Sequence, residues 1–306
     1  MGLGALSSAA LGSYAVVVEP LWRLVVTRHA FTPPGWTPEL RLRVALIADV
    51  HACNPWMGLD RIGEIVARTN ALAPDLVLLL GDYSAGISSR FVTSYVHSSE
   101  WAPELAGLRA PLGRYAVLGN HDWWEDRTAQ RRGHGPTFGH LALEAAGVPV
   151  LENGAVRLMH EGHPFWVAGL GDQIALLPGR GSGRRGWKGV DDLGATLGAV
   201  TDDAPVILMA HEPDIFPEVK EAARPVALTV SGHTHGGQVR LLGHSPVVPS
   251  RFGNRYAYGH VVEPRADGSP AHLVVSGGLG CSIAPIRFGV PPEIVLLELG
   301  QGPPAG

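Results

Sequence analysis

Runs of aliphatic residues that end in polar turns recur along this chain. The runs lie at residues 43–48, 75–80, 115–118, 206–210 and 226–230, and each is followed within three residues by Asp, Asn or His. Short continuous apolar runs of this kind are typical of buried strands. Because sites in open α/β sheets form beyond the carboxyl ends of the strands, we expect the polar residues that follow these runs to meet.

Between these runs, apolar residues recur at helical spacing. Residues 58–72 carry Leu59, Ile62, Ile65 and Val66, which predicts an amphipathic helix. Further helices are predicted up to residue 108 and at 138–146, 191–200 and 214–223, and strands at 148–151, 165–170, 238–242, 256–262, 272–276 and 294–299. The first half alternates strand and helix, whereas the C-terminal part is rich in strands. We therefore expect an α/β fold of two packed mixed β-sheets flanked by helices.

Composition and charge exclude only a few classes of protein. The 306 residues are 45% hydrophobic, which permits a sizeable core, and the formal net charge of −4 comes with no long basic run. A nucleic-acid surface is therefore not expected. Two cysteines, Cys53 and Cys281, cannot form a disulfide framework, and Cys53 is expected to be a small apolar wall residue. The Gly-rich basic stretch at 179–189 is either a solvated loop or a flap near an anionic substrate.

Four short motifs hold residues that bind metals. They are D-V-H at 49–51, G-D at 81–82, G-N-H-D at 119–122 and G-H-T-H at 232–235, with an isolated A-H-E at 210–212. Side chains two apart in an extended segment point the same way, so Asp49 and His51 are expected to share one cation. Asp82 has two carboxylate oxygens and can bridge two cations. The seven expected ligands are Asp49, His51, Asp82, Asn120, His211, His233 and His235.

This donor set predicts a site for two divalent ions. Imidazole combined with carboxylate suits Mn, Fe or Zn better than Ca or Mg alone. A two-metal site clamps a phosphate ester and lowers the pKa of a bridging water, and the resulting hydroxide attacks phosphorus in line. The leaving group then needs a proton, and His121, which follows Asn120, is the best candidate for this acid. Asp122 is expected either to orient His121 or to cap the segment that follows it.

The order of these motifs resembles the calcineurin-like metallophosphoesterase superfamily. G-H-T-H-G-G-Q at 232–238, R-F-G-V-P-P-E-I at 287–294 and the apolar N-terminus are similar to the membrane-associated bacterial branch of YkuE- and YaeI-like phosphodiesterases. The resemblance implies a first metal held by Asp49, His51, Asp82 and His235, and a second held by Asp82, Asn120, His211 and His233. Many relatives have a second Asp where this chain has Ala85, so the group that orients His121 is unassigned.

The resemblance also implies a function, the hydrolysis of a phosphodiester or pyrophosphate bond. The apolar N-terminus and the tryptophans Trp123 and Trp124 beside His121 favour a lipid-linked substrate, and some relatives of this branch cleave the pyrophosphate of UDP-diacylglucosamine. Phosphomonoesterase or phosphoprotein phosphatase activity is the alternative. A non-catalytic interaction module is a further one, although such proteins typically lose ligands or the acid, and here all are present.

The N-terminus suggests how the chain is organised. The first 18 residues carry no charged side chain, residues 3–18 are close to the minimum length for a membrane span, and Arg23, Arg28, Arg41 and Arg43 follow. Residues 1–18 are expected to be a membrane anchor or uncleaved signal, 19–40 an extended lead-in and 41–300 the catalytic domain. The positive-inside rule then places this domain in the cytoplasm, with an exported or periplasmic protein as the alternative. A short helix packed on the domain is the other interpretation of residues 1–18.

Arg287 is expected to contact substrate phosphate or to pair with a surface acid.

Overall fold

Two stacked β-sheets form the centre of the computed structural model, which describes residues 10–84, 86–87, 93–179 and 186–301. The strands of the first sheet are β1 (Val25–Phe31), β2 (Leu42–Ile47), β4 (Leu76–Leu79), β6 (Arg114–Ala116) and β13 (Glu293–Leu299). Those of the second are β7 (Gly154–His160), β8 (His163–Gly169), β9 (Val206–Met209), β10 (Leu228–Ser231), β11 (Gly259–Pro264) and β12 (Pro270–Val275). Two short strands, β3 (Cys53–Asn54) and β5 (Ser94–Tyr95), pair separately.

The strand order brings the predicted polar turns to one edge. It is β1-β13-β2-β4-β6 in the first sheet and β11-β12-β10-β9-β8-β7 in the second. Strands β2, β4 and β6 run parallel to one another, as do β8, β9, β10 and β12, whereas β13 is antiparallel to β2 and the edge strands β7 and β11 are antiparallel to their neighbours. The carboxyl ends of the parallel strands therefore point in a common direction within each sheet.

Both faces of the central strands are buried, which explains their continuous apolar sequence. In β2, Val44 and Leu46 lie in the core between the sheets with Ile207 and Val230 of the second sheet. The alternate residues Ala45 and Ile47 face the helices on the other side. Strands covered on both sides lose the apolar–polar alternation that marks a half-exposed strand.

Helices cover the outer face of each sheet. On the first sheet lie α1 (Leu59–Ala71), α2 (Ser98–Leu105), α3 (Asn120–Trp124), α4 (Arg127–Arg132) and α5 (Phe138–Ala145). On the second lie α6 (Leu193–Gly198) and α7 (Phe216–Glu221), whose buried Leu197 and Val219 pack against Ala168 and Leu208. The predicted arrangement of two mixed sheets flanked by helices is confirmed.

The differences from the prediction lie at the sheet edges. Strand β1 falls within the expected lead-in but pairs along its whole length with β13, and β7 was not predicted either. The predicted strand at 238–242 is limited to single bridges at Val239 and Leu241, because positive φ angles at Gln238 (57°) and Leu242 (50°) interrupt the extended backbone. The predicted strand at 148–151 is likewise a single bridge from Val150 to Ala116.

A π-helix at Tyr14–Trp22, called here the N-terminal helix, packs on the domain. The Ala15 carbonyl accepts a hydrogen bond from the Arg287 amide (2.9 Å), and the Val16 carbonyl accepts one from the Trp56 indole (3.1 Å). Within the described residues, no helix combines the length and apolar character needed to span a bilayer. Residues 1–9 of the expected anchor lie outside the described residues.

Candidate dinuclear metal centre

The seven predicted ligands lie beyond the carboxyl ends of five strands. Asp49 and His51 follow β2, Asp82 follows β4, Asn120 follows β6, His211 follows β9, and His233 and His235 follow β10. Six of the side chains are buried and His233 is half-buried. The two sheets thus bring these residues to one place, as the pattern of aliphatic runs predicts.

The ligands form two groups that share a neighbour. The ligand atoms of Asp49, His51 and His235 lie within 4.8 Å of one another, and so do those of Asp82, His211 and His233. Asn120 Oδ1 adjoins the second group, 2.8 Å from His233 Nδ1. Asp82 Oδ2 lies 3.3 Å from His211 Nε2 and 3.6 Å from His51 Nε2, so this carboxylate stands between the groups.

The donor atoms fit positively charged occupants. The Nε2 atoms of His51 and His235 face each other at 3.0 Å, and because the Ser84 carbonyl holds the His51 proton on Nδ1, the lone pair of His51 Nε2 needs a proton or a cation opposite it. Asp49 Oδ2 is buried and has no hydrogen-bond partner in the described part of the chain. Burial lowers the pKa of His51 to about 3, so the neutral ring that binds metals is the stable form at neutral pH.

Backbone carbonyls fix the direction of two imidazole rings. His51 Nδ1 lies 2.9 Å from the Ser84 carbonyl and His211 Nδ1 lies 2.6 Å from the Leu80 carbonyl. Each carbonyl can only accept a hydrogen bond, so in the neutral ring Nδ1 carries the proton. The lone pair of Nε2 is then available to bind a metal ion. Such outer contacts set the tautomer and orientation of metal-binding histidines.

The two buried carboxylates differ in charge. Burial raises the pKa of Asp49 to about 7. Burial also favours a neutral Asp82, but the histidines around it, His211 foremost, outweigh this effect and hold its pKa well below the ordinary value. The carboxylate between the two groups is therefore ionised, and a cation beside Asp49 would favour the ionised form there as well.

Left-handed backbone conformations occur at five of the seven ligands. The φ angles of Asp49, His51, Asp82, His233 and His235 lie between 48° and 67°. The expectation that Asp49 and His51 lie on an extended segment is therefore wrong: β2 has already ended, and a strained turn directs both side chains to one group. Strain of this kind persists where the surroundings over-determine it, often at functional sites.

Glycines let the backbone approach these carboxylates. A Cβ atom on Gly119 would overlap the Asp82 carboxylate and lie 2.6 Å from the His211 ring. Gly278 has a φ of 71°, and a Cβ there would lie 2.7 Å from Asp49 Oδ2. Any larger residue would displace a ligand at either position, so the G-N-H-D motif needs its glycine for space.

His121 lies at the mouth of the site. Its backbone amide donates to Asp82 Oδ1 (2.8 Å), which fixes its position relative to the ligands. Its half-buried ring packs against His51 and Trp124, with centroids 5.1 Å away in both cases, and its Nε2 lies 3.4 Å from Ser282 Oγ. Nδ1 is buried and has no partner among the described residues.

Asp122 binds backbone amides. Its carboxylate accepts hydrogen bonds from the amides of Asp82, Tyr83, Ser84 and Gly119, at 2.9–3.0 Å. The Asp122 carboxylate thereby connects the G-D turn to the G-N-H-D turn. Within the described residues it forms no hydrogen bond with the His121 ring. Ala85, where many relatives have the second Asp, lies outside the described residues.

Residues 42–237 match the family model described as calcineurin-like phosphoesterase. The chain belongs to the calcineurin-like phosphoesterase family. This phosphoesterase is 28% identical over 304 residues to the uncharacterized metallophosphoesterase YkuE of Bacillus subtilis, covering 98% of this chain and 93% of YkuE. It is 29% identical over 292 residues to the phosphodiesterase YaeI of Escherichia coli, and this match covers 94% of this chain and 92% of YaeI. The resemblance inferred from the motifs is confirmed.

A third similar protein has a different length. The phosphoesterase is 32% identical over 265 residues to the putative metallophosphoesterase F40B5.2 of Caenorhabditis elegans, which covers 84% of this chain but 48% of that protein. The chain therefore spans about half of that relative.

Family membership together with the two groups of ligands makes this chain a metal-dependent phosphoesterase, a hydrolase of a family that works with two metals.

Sequence reasoning missed an acidic pair beside His211. Asp172 and Glu212 are buried, and their oxygens lie within 4.8 Å of each other and of a His211 nitrogen. Burial and the Glu212 carboxylate hold the pKa of Asp172 well above its ordinary value. The pattern of ligands after strands could have found this residue, because Asp172 follows β8 as Asp82 follows β4.

Within the described residues, Arg287 is buried and does not form the surface ion pair that was one of its two expected roles. It is fully buried, donates to the carbonyls of Gly277 (2.9 Å) and Gly280 (2.8 Å), and places Nη2 3.1 Å from His235 Nδ1. In this phosphoesterase it supports a ligand from behind. In the described part of the chain it forms no ion pair with a surface acid.

An aromatic wall flanks His121. Trp123 is fully buried in the core, whereas the half-buried Trp124 contacts the His121 ring and meets Trp187 at 4.9 Å between ring centroids. Trp187 belongs to the basic stretch at 179–189, and Arg180, Arg184 and Arg185 of that stretch lie outside the described residues. The mouth of the site therefore has an apolar side.

Proposed function

We propose that this phosphoesterase hydrolyses a phosphodiester or pyrophosphate bond at two divalent cations. One cation is held by Asp49, His51, Asp82 and His235, and the other by Asp82, Asn120, His211 and His233. The observation that carries the proposal is the position of Asp82 Oδ2, 3.6 Å from a nitrogen of one group and 3.3 Å from a nitrogen of the other. The mixture of imidazole and carboxylate suits Mn, Fe or Zn.

The protein groups around the cations have separate tasks. When bound, the cations would supply Lewis-acid charge that stabilises the phosphoryl oxygens and activates water. His121 protonates the leaving oxygen from the mouth of the site, where its amide is anchored on Asp82. Asp122 keeps the turns that carry Asp82 and Asn120 in register through its four amide hydrogen bonds.

A lipid-linked substrate such as UDP-diacylglucosamine is the finer part of the proposal. The aromatic wall of Trp124 and Trp187 beside His121 supports a substrate with a bulky apolar group. The similarity to a phosphodiesterase over 94% of the chain supports a diester or pyrophosphate over a monoester. Membrane association through the N-terminus, with the catalytic domain in the cytoplasm, would bring the enzyme to such a substrate.

A metal-dependent substrate screen tests the function. The purified enzyme is stripped with a chelator, reloaded with Mn, Fe or Zn, and assayed on bis(p-nitrophenyl) phosphate, p-nitrophenyl phosphate, UDP-diacylglucosamine and a phosphopeptide. We expect turnover of the diester and the pyrophosphate that depends on added metal. Faster turnover of the monoester or the phosphopeptide would support a phosphatase, and no turnover of any substrate with two metals bound would support a non-catalytic module.

Asp82→Asn tests the bridging assignment directly. Loss of one shared carboxylate charge should weaken both cations, whereas His51→Ala should weaken mainly the first. We expect turnover of bis(p-nitrophenyl) phosphate to fall by more than about 100-fold in Asp82→Asn, beyond the effect of losing an outer partner of a ligand. Metal content per chain measures the two losses. Two tightly bound metals and normal turnover in Asp82→Asn would contradict the assignment.

A further inference from the structure

Exposed apolar side chains protrude from three segments of the surface. They are the N-terminal helix with the residues before it (10–22), the turn at 239–247 and the loop at 283–288. We call these three segments the apolar rim. Its most exposed side chains, with their exposed fractions, are Leu242 (108%), Ile283 (76%), Val247 (73%), Trp22 (72%), Leu11 (56%) and Leu241 (56%). Large side chains exposed together in this way mark an interaction surface more often than isolated ones do.

The three segments adjoin one another. The 283–288 loop hydrogen-bonds to the N-terminal helix through the Arg287 amide and the Ala15 carbonyl (2.9 Å). The same loop meets the 239–247 turn, because the Arg240 amide donates to the Phe288 carbonyl (2.8 Å). The rings of Tyr14 and Phe288 also contact each other, with centroids 5.9 Å apart. The apolar rim is therefore one continuous surface.

This surface borders the mouth of the metal centre. Ser282 Oγ lies 3.4 Å from His121 Nε2, and Ile283 follows it directly in the chain. The Ile283 amide donates to the Gly86 carbonyl (2.9 Å), and Gly86 packs against the His51 ring. Anything that binds the apolar rim therefore lies close to the proposed acid.

The backbone holds the two most exposed side chains outward. Leu242 and Ile283 have φ angles of 50° and 66°, a conformation that bulky or β-branched residues rarely adopt. Neighbouring hydrogen bonds impose it, from the Ile283 amide to Gly86 and between Leu241 and His244 around Leu242. Such strain at an exposed apolar residue has no packing benefit within the molecule, so a binding role is the better explanation.

Charge on these segments distinguishes the kind of partner. Residues 239–247 and 283–288 contain no Asp or Glu, and the one acid within 10–22, Glu19, is buried, whereas the 239–247 turn carries Arg240. Arg240 stacks on the Tyr258 ring (5.7 Å) and, within the described residues, pairs with no carboxylate. Protruding apolar side chains beside a cation that pairs with no carboxylate, and without an exposed acid in the described rim, complement an anionic lipid surface.

We propose that the apolar rim docks this phosphoesterase onto an anionic lipid bilayer, with Leu242 and Ile283 inserted at the headgroup boundary. The mouth of the metal centre then opens at the membrane surface. Interfacial segments of this kind lie in the plane of the headgroups and need no spanning helix. Binding to lipid does not depend on turnover, so it can be tested whether or not the proposed reaction is correct.

Vesicle sedimentation with the full-length, metal-loaded enzyme tests this proposal. Binding is compared on vesicles of phosphatidylcholine mixed with phosphatidylglycerol and on vesicles of phosphatidylcholine alone, and we expect strong preference for the mixture. Leu242→Asn should lower the partition coefficient about tenfold, because the apolar group is lost. Asn tolerates a positive φ better than Leu, so this variant should stay folded and hydrolyse bis(p-nitrophenyl) phosphate at the unaltered rate.

Leu141→Asn is the matched control. Leu141 is a leucine on α5, outside the apolar rim, and its exposed fraction of 53% is close to that of Leu241. This variant should bind vesicles as the unaltered enzyme does. Ile283→Asn, which is scored for binding alone because it adjoins Ser282, should behave like Leu242→Asn. Unchanged binding in both rim variants, or equal binding to vesicles with and without phosphatidylglycerol, would overturn the proposal, as would no binding to either.

Discussion

At the scale of single residues, the proposed roles of metal ligand and general acid belong to two side chains that are adjacent in sequence but differ in environment. Asn120 is buried and faces His233, whereas His121 is half-buried and faces the mouth. The first turn of α3 separates them because successive helical side chains point in different directions. A ligand and an acid can therefore be adjacent in the G-N-H-D motif without competing for the same cation.

His121→Ala tests proton donation by this residue. Both metals should remain, since His121 is not a proposed ligand. The rate on an alkyl phosphodiester should fall roughly 10²–10⁴-fold, the usual contribution of general acid catalysis. The rate on bis(p-nitrophenyl) phosphate should fall much less, because p-nitrophenolate leaves without a proton. Equal losses on the two substrates would instead indicate that His121 stabilises charge in the transition state.

The sequence predicted the ligands better than the groups that hold them. Asp49, Asp82 and His211 follow aliphatic runs, so their meeting could be expected from strand order alone. The Asp122 carboxylate accepts from the amide of Asp82, 40 residues away in the chain, and Arg287 reaches the His235 ring, 52 residues away. Such contacts leave no periodic pattern, so the sequence predicts either an orienting or a capping role for Asp122, and either a substrate contact or a surface ion pair for Arg287.

At the scale of elements, the central strands were predictable and the edges were not. Strands β4 and β9 are apolar throughout and β2 is apolar except for Arg43, because both faces of these strands are covered. Edge strand β1 is half-buried along most of its length and mixes Thr27, Arg28 and His29 with apolar residues, so its sequence resembles a loop. Only the long-range pairing with β13 makes it a strand.

The histidines that pack beside β1 should make the free energy of unfolding depend on pH. Phe31 of β1 stacks on His260 of β11 (4.1 Å between centroids), and His260 Nε2 lies 2.9 Å from His272 Nδ1. Burial, followed by the charges of His272 and His29, lowers the pKa of His260 from 6.5 to about 4. Between these values the unfolded chain binds more protons, so the free energy of unfolding should fall as pH drops from about 6.5 to about 4.

His260→Gln removes this titration. Chemical denaturation at several pH values should therefore show a smaller loss of stability between pH 6.5 and pH 4 in His260→Gln than in the unaltered protein. His134→Gln, which changes an exposed histidine, serves as the control and should follow the unaltered protein. Parallel pH curves for His260→Gln and the unaltered protein would show that the fold tolerates a charged His260.

At the scale of the whole molecule, the N-terminal helix meets residues 287–290 beside the metal centre. The N-terminal helix accepts the Arg287 amide through Ala15, and Glu19 Oε1 accepts the Val290 amide (2.8 Å). Arg287 in turn reaches His235. The sequence predicts a membrane anchor, or alternatively a short helix packed on the domain, at residues 1–18 and a family pattern in the C-terminal R-F-G-V-P-P segment. It had no means of predicting that the two segments bind each other, since neither has a local signal for the contact.

Deletion of residues 1–18 tests this arrangement against deletion of residues 1–9. The longer deletion removes the acceptors of the Arg287 amide and the Trp56 indole, whereas the shorter one keeps both. Two lost hydrogen bonds should lower the free energy of unfolding by about 1–3 kcal/mol relative to the shorter deletion. No proposed ligand lies before Asp49, so turnover of a soluble diester should persist in both, with weaker metal binding in the longer deletion because Arg287 supports His235 less firmly. Equal thermal stability of the two proteins would mean that the N-terminal helix contributes nothing to the fold and serves the surface alone.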